Sequence, residues 1–509
     1  MAFQEKIKLL AELAKIIERL KKRKKVIVQC HGCFDLIHPG HIKHLEAAKK
    51  LGDVLVVTIT QDKYVNKGPG RPVFNQELRA ESLAALSVVD FVSINQWPSG
   101  VEAIKLLKPD YFVKGGEFRE EKDDPDSPVY YEREAVESVG GKIYFTDEIV
   151  FSSSRLLTDY FSIHSEAAGL FLKEFRKKYS SRQIAEKFED LKKIKILVIG
   201  DTIIDEYHYA KPMGKTPKSN IIAANYESEE RFAGGILASA NHIAGFCDNV
   251  HLVTCLGKNN DCLDFIKSHL KENIETKFFF RTDAPTVIKR RFVDPAFMGK
   301  LFELYIYNDH PLPKNVEDEI AVYLESRIKD YDLVLVNDFG HGFLNEKLIN
   351  LISGKAKFLA VNTQANTGNY GFNLITKYPR ADYVCLDEPE ARLATQSKFG
   401  DLKELIVHLG NKLNCKKIMI TRGHLATLSY DRQNRELIEV PIFSGKIVDT
   451  VGAGDAFFSI TSLCASLNWP TEMIAFIGNV VGALAVGIVG NRSSVEPKQL
   501  FQFVTTLLK

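Results

Sequence analysis

The chain has 509 residues, 45% of them hydrophobic and 26% charged, with a formal net charge of +2. That length calls for two or three domains, and so balanced a charge leaves no electrostatic footprint for a nucleic acid. No apolar run is long enough to span a bilayer, the N-terminus shows no signal-peptide pattern, and eight scattered cysteines make no disulfide framework. The expectation is a reduced, cytoplasmic protein with neither a nucleic-acid nor a membrane partner.

Ile7, Leu10, Leu13, Ile17 and Leu20 recur at helical spacing and predict an amphipathic helix ending in the basic run Lys21 to Lys25. A strand over Val26–Gln29 follows, then a loop and a helix from about Gly40 to Leu51. Val54–Thr60, Val89–Ile94 and Tyr111–Val113 read as further strands, with Asn75–Leu86 and Val101–Leu107 helical between them. Strands alternating with helices predict a parallel sheet covered on both faces, a Rossmann-like domain over residues 1–160. Residues 161–193 are charged and helical in character and read as a helical linker. From Ile194–Ile199 a second alternation begins, through Val250–Cys255, Leu333–Asn337, Phe358–Asn362, Tyr383–Leu386 and Lys417–Thr421. It predicts a doubly wound α/β domain over 194–509, with the apolar stretch Ile477–Gly490 as a buried helix. Cys30 and Cys33 have CxxC spacing, but no second pair stands near to complete a zinc site.

The run Gly32-Cys33-Phe34-Asp35-Leu36-Ile37-His38-Pro39-Gly40-His41 joins the first strand to a helix. Gly40 permits close backbone approach at the helix start, where free N–H groups and the dipole favour an anion. His38 and His41 flank that turn and can face one anion, as stabilising charge on the α-phosphate of a nucleoside triphosphate requires. The alternatives are ordinary surface histidines or a metal pair, although metal histidines on a helix prefer i, i+4 spacing. The segment resembles the HxGH nucleotidyltransferases, a family that includes cytidylyltransferases and heptose-phosphate adenylyltransferases. The resemblance runs over about residues 24–160. Lys67-Gly68-Pro69-Gly70-Arg71-Pro72-Val73 is similar to the family's phosphate-side loop, and Arg79-Ala80-Glu81 lies in the following helix. Phe112-Val113-Lys114-Gly115-Gly116-Glu117 resembles its VKGGD stretch, with Glu117 where Asp is usual. Ser152-Ser153-Ser154-Arg155-Leu156 resembles its last, triphosphate-binding motif. The resemblance implies catalysis by His38 and His41. Nucleotide contacts are implied from Gly32, Phe34, Asp35, Gly40, Lys114, Ser152, Ser153 and Ser154, with Lys67 as a further phosphate contact. Asp35 would position backbone or ligand, and Mg²⁺ would accompany the triphosphate. A phosphate acceptor is already anionic, so no general base is required.

Asp449-Thr450-Val451-Gly452-Ala453-Gly454-Asp455-Ala456-Phe457 lies between a strand and an apolar helical run. The small residues let the N–H groups of Gly452, Ala453 and Gly454 point at a phosphate. A hydroxyl nucleophile must lose its proton as it attacks, and Asp455 is the carboxylate in place to take it. The surrounding 194–509 resembles the ribokinase-like (PfkB) sugar kinases. Gly200-Asp201-Thr202-Ile203-Ile204-Asp205 is similar to their opening strand and Ala233-Gly234-Gly235 to their GG turn, which implies sugar contacts from Asp205, Gly234 and Gly235. Asp338-Phe339-Gly340-His341-Gly342 resembles their DYxKG loop, and Thr421-Arg422-Gly423 a nucleotide-binding turn. Glu390 matches the Glu of their NxxE motif and implies an indirect contact to Mg²⁺.

Both domains together resemble the bifunctional heptose kinase/ADP-heptose synthase family, with the domain order reversed. This implies an enzyme making a nucleotide-activated sugar, a heptose above all, from ATP (or CTP) and a small-molecule sugar phosphate, as a homodimer or higher homo-oligomer. The alternative is a cytidylyltransferase for a polyol or amino-alcohol phosphate carrying a sensor-like kinase fold. The sugar side departs from the family: Ala238 stands for an Asn, Lys218 for a Glu, Asn362 and Gln364 for an Asp and a Lys, and Asp387 for an Asn. Several altered hydrogen bonds imply a different acceptor or a weak kinase.

Overall fold

The computed structural model describes residues 3–65, 67–68, 71–125, 127–146, 165–219, 221–259, 262–308, 310–443 and 447–508. These fall into two compact units, divided between Ile163 and His164. Ser152, Ser153 and Ser154 lie outside the described residues.

In the first unit β1 (Ile27–Gly32), β2 (Val54–Thr60), β3 (Phe91–Asn95), β4 (Tyr111–Gly115) and β5 (Lys142–Thr146) form a parallel sheet in the order β3-β2-β1-β4-β5. Period-2 alternation assigns each side chain of a strand such as Val54–Ile59 to one of two covered faces. Leu55, Val57 and Ile59 pack with Leu45 of α2 (Pro39–Lys49) and Leu83 of α3 (Gln76–Ala84). Val54 and Val56 pack with Leu13 and Ile17 of α1 (Leu10–Lys22) and Leu107 of α4 (Val101–Leu107). A fifth helix, α5 (Pro128–Ser138), precedes β5. Strand order reverses between β1 and β4, which opens a crevice at their C-terminal ends. The β1–α2 turn enters there.

The second unit contains, in chain order, β6 (Lys195–Gly200), β7 (Thr202–Lys215), β8 (Ile222–Gly235), β9 (Asn249–Gly257), β10 (Ile274–Arg281), β11 (Val287–Asp294), β12 (Gly299–Ile306), β13 (Leu333–Asp338), β14 (Leu359–Thr363), β15 (Tyr383–Asp387), β16 (Lys417–Thr421), β17 (Ala426–Asp431) and β18 (Glu436–Pro441). Nine form a sheet in the order β10-β9-β6-β13-β14-β15-β16-β17-β18, parallel except for the pairs that β17 makes with β16 and β18. The order reverses at β6 and β13, so Asp201, Asn337 and Asp338 stand at the switch point. The other four strands form a separate sheet, β12-β11-β7-β8, absent from the expected doubly wound layout. Its sequence disguise has a physical cause. β11 alternates buried Val287, Lys289, Arg291 and Val293 with half-buried neighbours, and charged side chains on the inner face break the apolar period that betrays a strand.

The expected linker is also different in kind. α6 (Glu166–Lys178) and α7 (Ser181–Glu189) belong to the second unit, where Ala168, Leu172, Phe175, Ile184 and Phe188 join its main core. Phe175 stacks on Phe476 with centroids 4.3 Å apart, Phe188 meets Trp469 edge-on at 5.1 Å, and Arg176 Nη2 donates to the Leu507 carbonyl at 2.8 Å. The charges that suggested a linker are the outer faces of two amphipathic helices. No helix among the described residues is long and apolar enough to cross a membrane.

Removing the fully buried Phe175 ring leaves a cavity against Phe476. Phe175→Ala is expected to destabilise the second unit by about 3–5 kcal/mol in denaturant titration of the whole chain. A loss below about 1 kcal/mol would show α6 to be an appendage, not core.

Candidate active sites

In the first unit the β1–α2 turn brings the two expected histidines together. His38 is the extended N-cap of α2, with Pro39 at the first helical position, and His41 follows in the first turn. Their rings stack with centroids 3.9 Å apart, and Phe34 tilts against His41 at 5.2 Å. His38 is 5% exposed, and neither ring nitrogen has a hydrogen-bond partner among the described residues. Burial lowers the His38 pKa below the ordinary imidazole value. His41 is pushed down to about 3 by burial first, then by His38, His44 and Lys67. Both are therefore neutral near pH 7, each ring offering one N–H donor. His44, one turn further, accepts or donates at Nδ1 to Thr146 Oγ1 at 3.0 Å, and burial pushes it down to about 4.

Asp35 fastens the opposite wall. Its Oδ2 accepts from Arg71 Nε at 2.6 Å, and its Oδ1 from the Val73 and Phe74 N–H groups at 2.6 and 3.3 Å. Arg79, 1% exposed, donates to the carbonyls of Cys33, Phe74 and Thr60 and to Asp62 at 2.6 Å, clamping the turn to the end of β2. Lys67 lies near enough to His41 to help lower its pKa, and near enough to Cys33 to oppose the burial that pushes that thiol up. Lys114 lies near the end of β4. Its ammonium is paired at 2.8 Å with the buried Glu132 of α5, whose Oε1 also accepts from Gly100 N–H at 3.2 Å. Burial pushes Glu132 up, but Lys114, His31 and these hydrogen bonds outweigh it and hold the carboxyl below its ordinary value. Gly32 and Gly40 sit at the end of β1 and in the first turn of α2. Burial pushes the Cys30 thiol up to about 12, and all eight cysteines are free thiols.

In the second unit the helix Ala453–Ser466 begins at Gly452, whose φ of 82° suits glycine and whose missing Cβ leaves room for Asn491. Asp455 occupies the first turn. Its Oδ1 accepts from Asn337 Nδ2 at 2.9 Å and Gln364 Nε2 at 2.7 Å. Asp205 on β7 is ion-paired with Arg291 on β11 and accepts from Asn491 Nδ2 at 3.3 Å. A side chain at Gly234 would collide with that carboxylate; Gly235 is the left-handed cap before the next helix. Lys289 lies over the rings of Tyr305 and Phe339 at 5.4 and 5.7 Å. His341 is buried with both ring nitrogens lacking a hydrogen-bond partner among the described residues. Burial and Lys289 push it down to about 3. Thr421, Gly423, Ala453 and Gly454 line one cavity of about 1280 Å³ with Phe457 and Ala483 on its apolar wall. Glu390 forms a capping box with Asp387 and accepts from Ala365 N–H at 3.0 Å; burial, then Asp387, pushes it up to about 8.

Lys289, Arg291, Asn337, Asn491 and Glu132 escaped the sequence reading. The regular spacing of Lys289 and Arg291 between buried valines is the one local signal available; the others depend on partners far along the chain.

Residues 193–499 match the pfkB family of carbohydrate kinases, and residues 29–187 match the cytidylyltransferase-like family. The first part of the chain is 40% identical over 162 residues to the bifunctional protein HldE of Desulfatibacillum aliphaticivorans. It is 44% identical over 138 residues to that of Sulfurimonas denitrificans, and 47% over 122 residues to that of Campylobacter jejuni strain RM1221. These matches cover 31%, 27% and 24% of this chain and span 32%, 29% and 26% of the relatives' lengths. The tetrameric inhibited form of Escherichia coli phosphofructokinase-2 superposes with a TM-score of 0.50 at 13% identity, covering 62% of this chain and 100% of that one. The same enzyme in complex with substrates and products gives 0.50 at 14%, covering 62% and 99%. Identity this low speaks to the fold alone.

A base must be ionised to accept a proton. Burial pushes the Asp455 carboxyl up to about 6, against the Asn337 and Gln364 hydrogen bonds that lower it. Phosphoryl transfer should therefore fall as pH drops through about 6. Gln364→Leu removes one lowering donor and should move that acid limb to higher pH. A profile of kcat/KM against pH that is identical in parent and variant would contradict the assignment.

Proposed function

The chain belongs to the pfkB family of carbohydrate kinases, and from that premise we propose a bifunctional transferase that makes a nucleotide-activated sugar. The second unit phosphorylates a sugar or sugar phosphate with ATP, and the first transfers a nucleotidyl group from ATP (or CTP) to a sugar 1-phosphate. A heptose is the sugar that the motif resemblance and the HldE relatives of the first unit favour. The observation that carries the reading is His38, buried at a helix N-terminus with neither ring nitrogen partnered among the described residues.

In the first unit a phosphate oxygen of the acceptor attacks the α-phosphorus, the α–β bridging bond breaks, and pyrophosphate leaves in line. The acceptor needs no base. His38 and His41, neutral and stacked, donate to the α- and β-phosphates at the start of α2, and the helix dipole adds to them. Lys67 supplies positive charge beside His41. Lys114, held by Glu132, acts on the site through its pair. In the second unit Asp455 takes the proton of the acceptor hydroxyl through the oxygen left free by Asn337 and Gln364. The hydroxyl oxygen attacks the γ-phosphorus, ADP leaves, and the N–H groups of Gly452, Ala453 and Gly454 hold the charge. Mg²⁺ bound to the nucleotide would screen the phosphate charges. Among the described residues no group of three or more side chains could hold a metal unaided. Glu390 fits a water-mediated contact, since its oxygens already accept from Ala365 and Asp387 N–H groups.

One observation favours a second reading, a kinase fold that binds without turnover: Asp205 is already engaged by Arg291 and Asn491. Mass spectrometry of products from a panel of sugars and sugar phosphates, with ATP and with CTP, separates the two. His41→Ala should cut nucleotidyl transfer by about a hundredfold or more and leave phosphoryl transfer unchanged, and Asp455→Asn should do the reverse. A loss below about tenfold in either case would remove that residue from its role.

A further inference from the structure

Asp449 opens the glycine turn and is buried among four donors. Its Oδ1 accepts from Val451 N–H at 3.1 Å and Lys300 Nζ at 3.0 Å, and its Oδ2 from the Tyr207 hydroxyl at 2.6 Å and Gly490 N–H at 2.9 Å. Val451 belongs to the phosphate turn, and Gly490 to the loop that presents Asn491 to Asp205. Tyr207 on β7 and Lys300 on β12 come from the four-stranded sheet. One carboxylate thus fastens the phosphate turn to the sheet that carries Asp205, Lys289 and Arg291.

The sign of the charge at this point matters. A bare carboxylate immediately before the N–H groups of Gly452–Gly454 repels an anion bound there, and burial strengthens the repulsion. Burial pushes the Asp449 carboxyl up, but Tyr207, the two backbone N–H groups and Lys300 outweigh it, so the group is ionised near neutrality. Three of those four donors are neutral; Lys300 alone among them brings a positive charge. Its side chain is 30% exposed, near the start of β12, whereas that of Asp449 is 4% exposed.

Resting on the kinase reading above, we infer that Lys300 is a positioning residue for the phosphate turn. Its ammonium neutralises Asp449 from the second sheet, so the turn binds phosphate well only while that sheet is docked on it. The ion pair is then a link between the acceptor-binding sheet and the nucleotide's phosphates, and a device that disfavours phosphate binding when the sheet is displaced. Breaking a buried pair on one side leaves the other charge uncompensated.

Calorimetric titration of the full chain with ATP and with adenosine, in parent, Lys300→Met and Lys300→Arg, tests this. The first unit is the same in all three, so differences report the second. Lys300→Met should weaken ATP at the second unit by at least about tenfold while leaving adenosine affinity unchanged, and Lys300→Arg should restore most of the loss. Unchanged ATP affinity in Lys300→Met overturns the inference, as does an equal loss for adenosine, which would make Lys300 a merely structural residue. A parent whose ATP binding is wholly removed by His41→Ala, leaving no site in the second unit, overturns the kinase reading beneath it, a result distinct from both.

Discussion

Desolvation of ionisable side chains at the C-terminal ends of parallel strands is the constraint on which both units depend. A helix that starts there presents free N–H groups and the positive end of its dipole. The side chains beside it are taken out of water by the same packing that builds the sheet. Burial sets their protonation: His41 and His341 are pushed down to about 3, and Asp455 up to about 6. The neutral His38 ring, whose nitrogens have no partner among the described residues, can donate to phosphate without first losing one, and a carboxylate of raised pKa is a better base than an ordinary one.

Around these sites charged side chains are held in networks. Arg79 gives its donors to three carbonyls and Asp62, and Asp35 holds three donors of the facing loop. In the second unit Asp338 accepts from Tyr378 at 2.7 Å and pairs with Lys377 at 2.6 Å, while Asp201 accepts from the Phe339 N–H at 3.0 Å. Buried charge is affordable only when it is matched in this way. These networks fix the walls, while the ring nitrogens of His38 and His341 have no hydrogen-bond partner among the described residues.

The sequence made the local features readable and hid the tertiary ones. The β1–α2 turn, the stacked histidines and the glycine turn before Asp455 each lie within ten consecutive residues, so their chemistry survives in the order of the letters. Strand ends shifted by a few residues, as with β1, which continues to Gly32 where Gln29 was expected to close it. The apolar stripe of α6 and α7 was masked by the charged outer faces of the two helices, and only packing on Phe476 and Trp469 reveals it as core. The pair of Lys114 with Glu132 joins β4 to α5 and leaves no local signal in the sequence. The four-stranded sheet was invisible because β11 carries the buried Lys289 and Arg291, the latter paired with Glu303 and with Asp205 far along the chain.

The central claim, that burial prepares neutral histidines for an anion at the start of α2, is tested most directly by nitrogen-15 NMR titration of the His38 and His41 rings in the whole chain, with and without a non-hydrolysable nucleoside triphosphate. The account predicts a His38 ring that protonates below the ordinary imidazole value and a His41 ring that stays neutral down to about pH 3 in the free protein, both gaining protons at distinctly higher pH once the triphosphate binds, since a nearby anion favours the charged imidazolium. Rings that titrate near the ordinary value of about 6.5, with no change on adding the nucleotide, would contradict it.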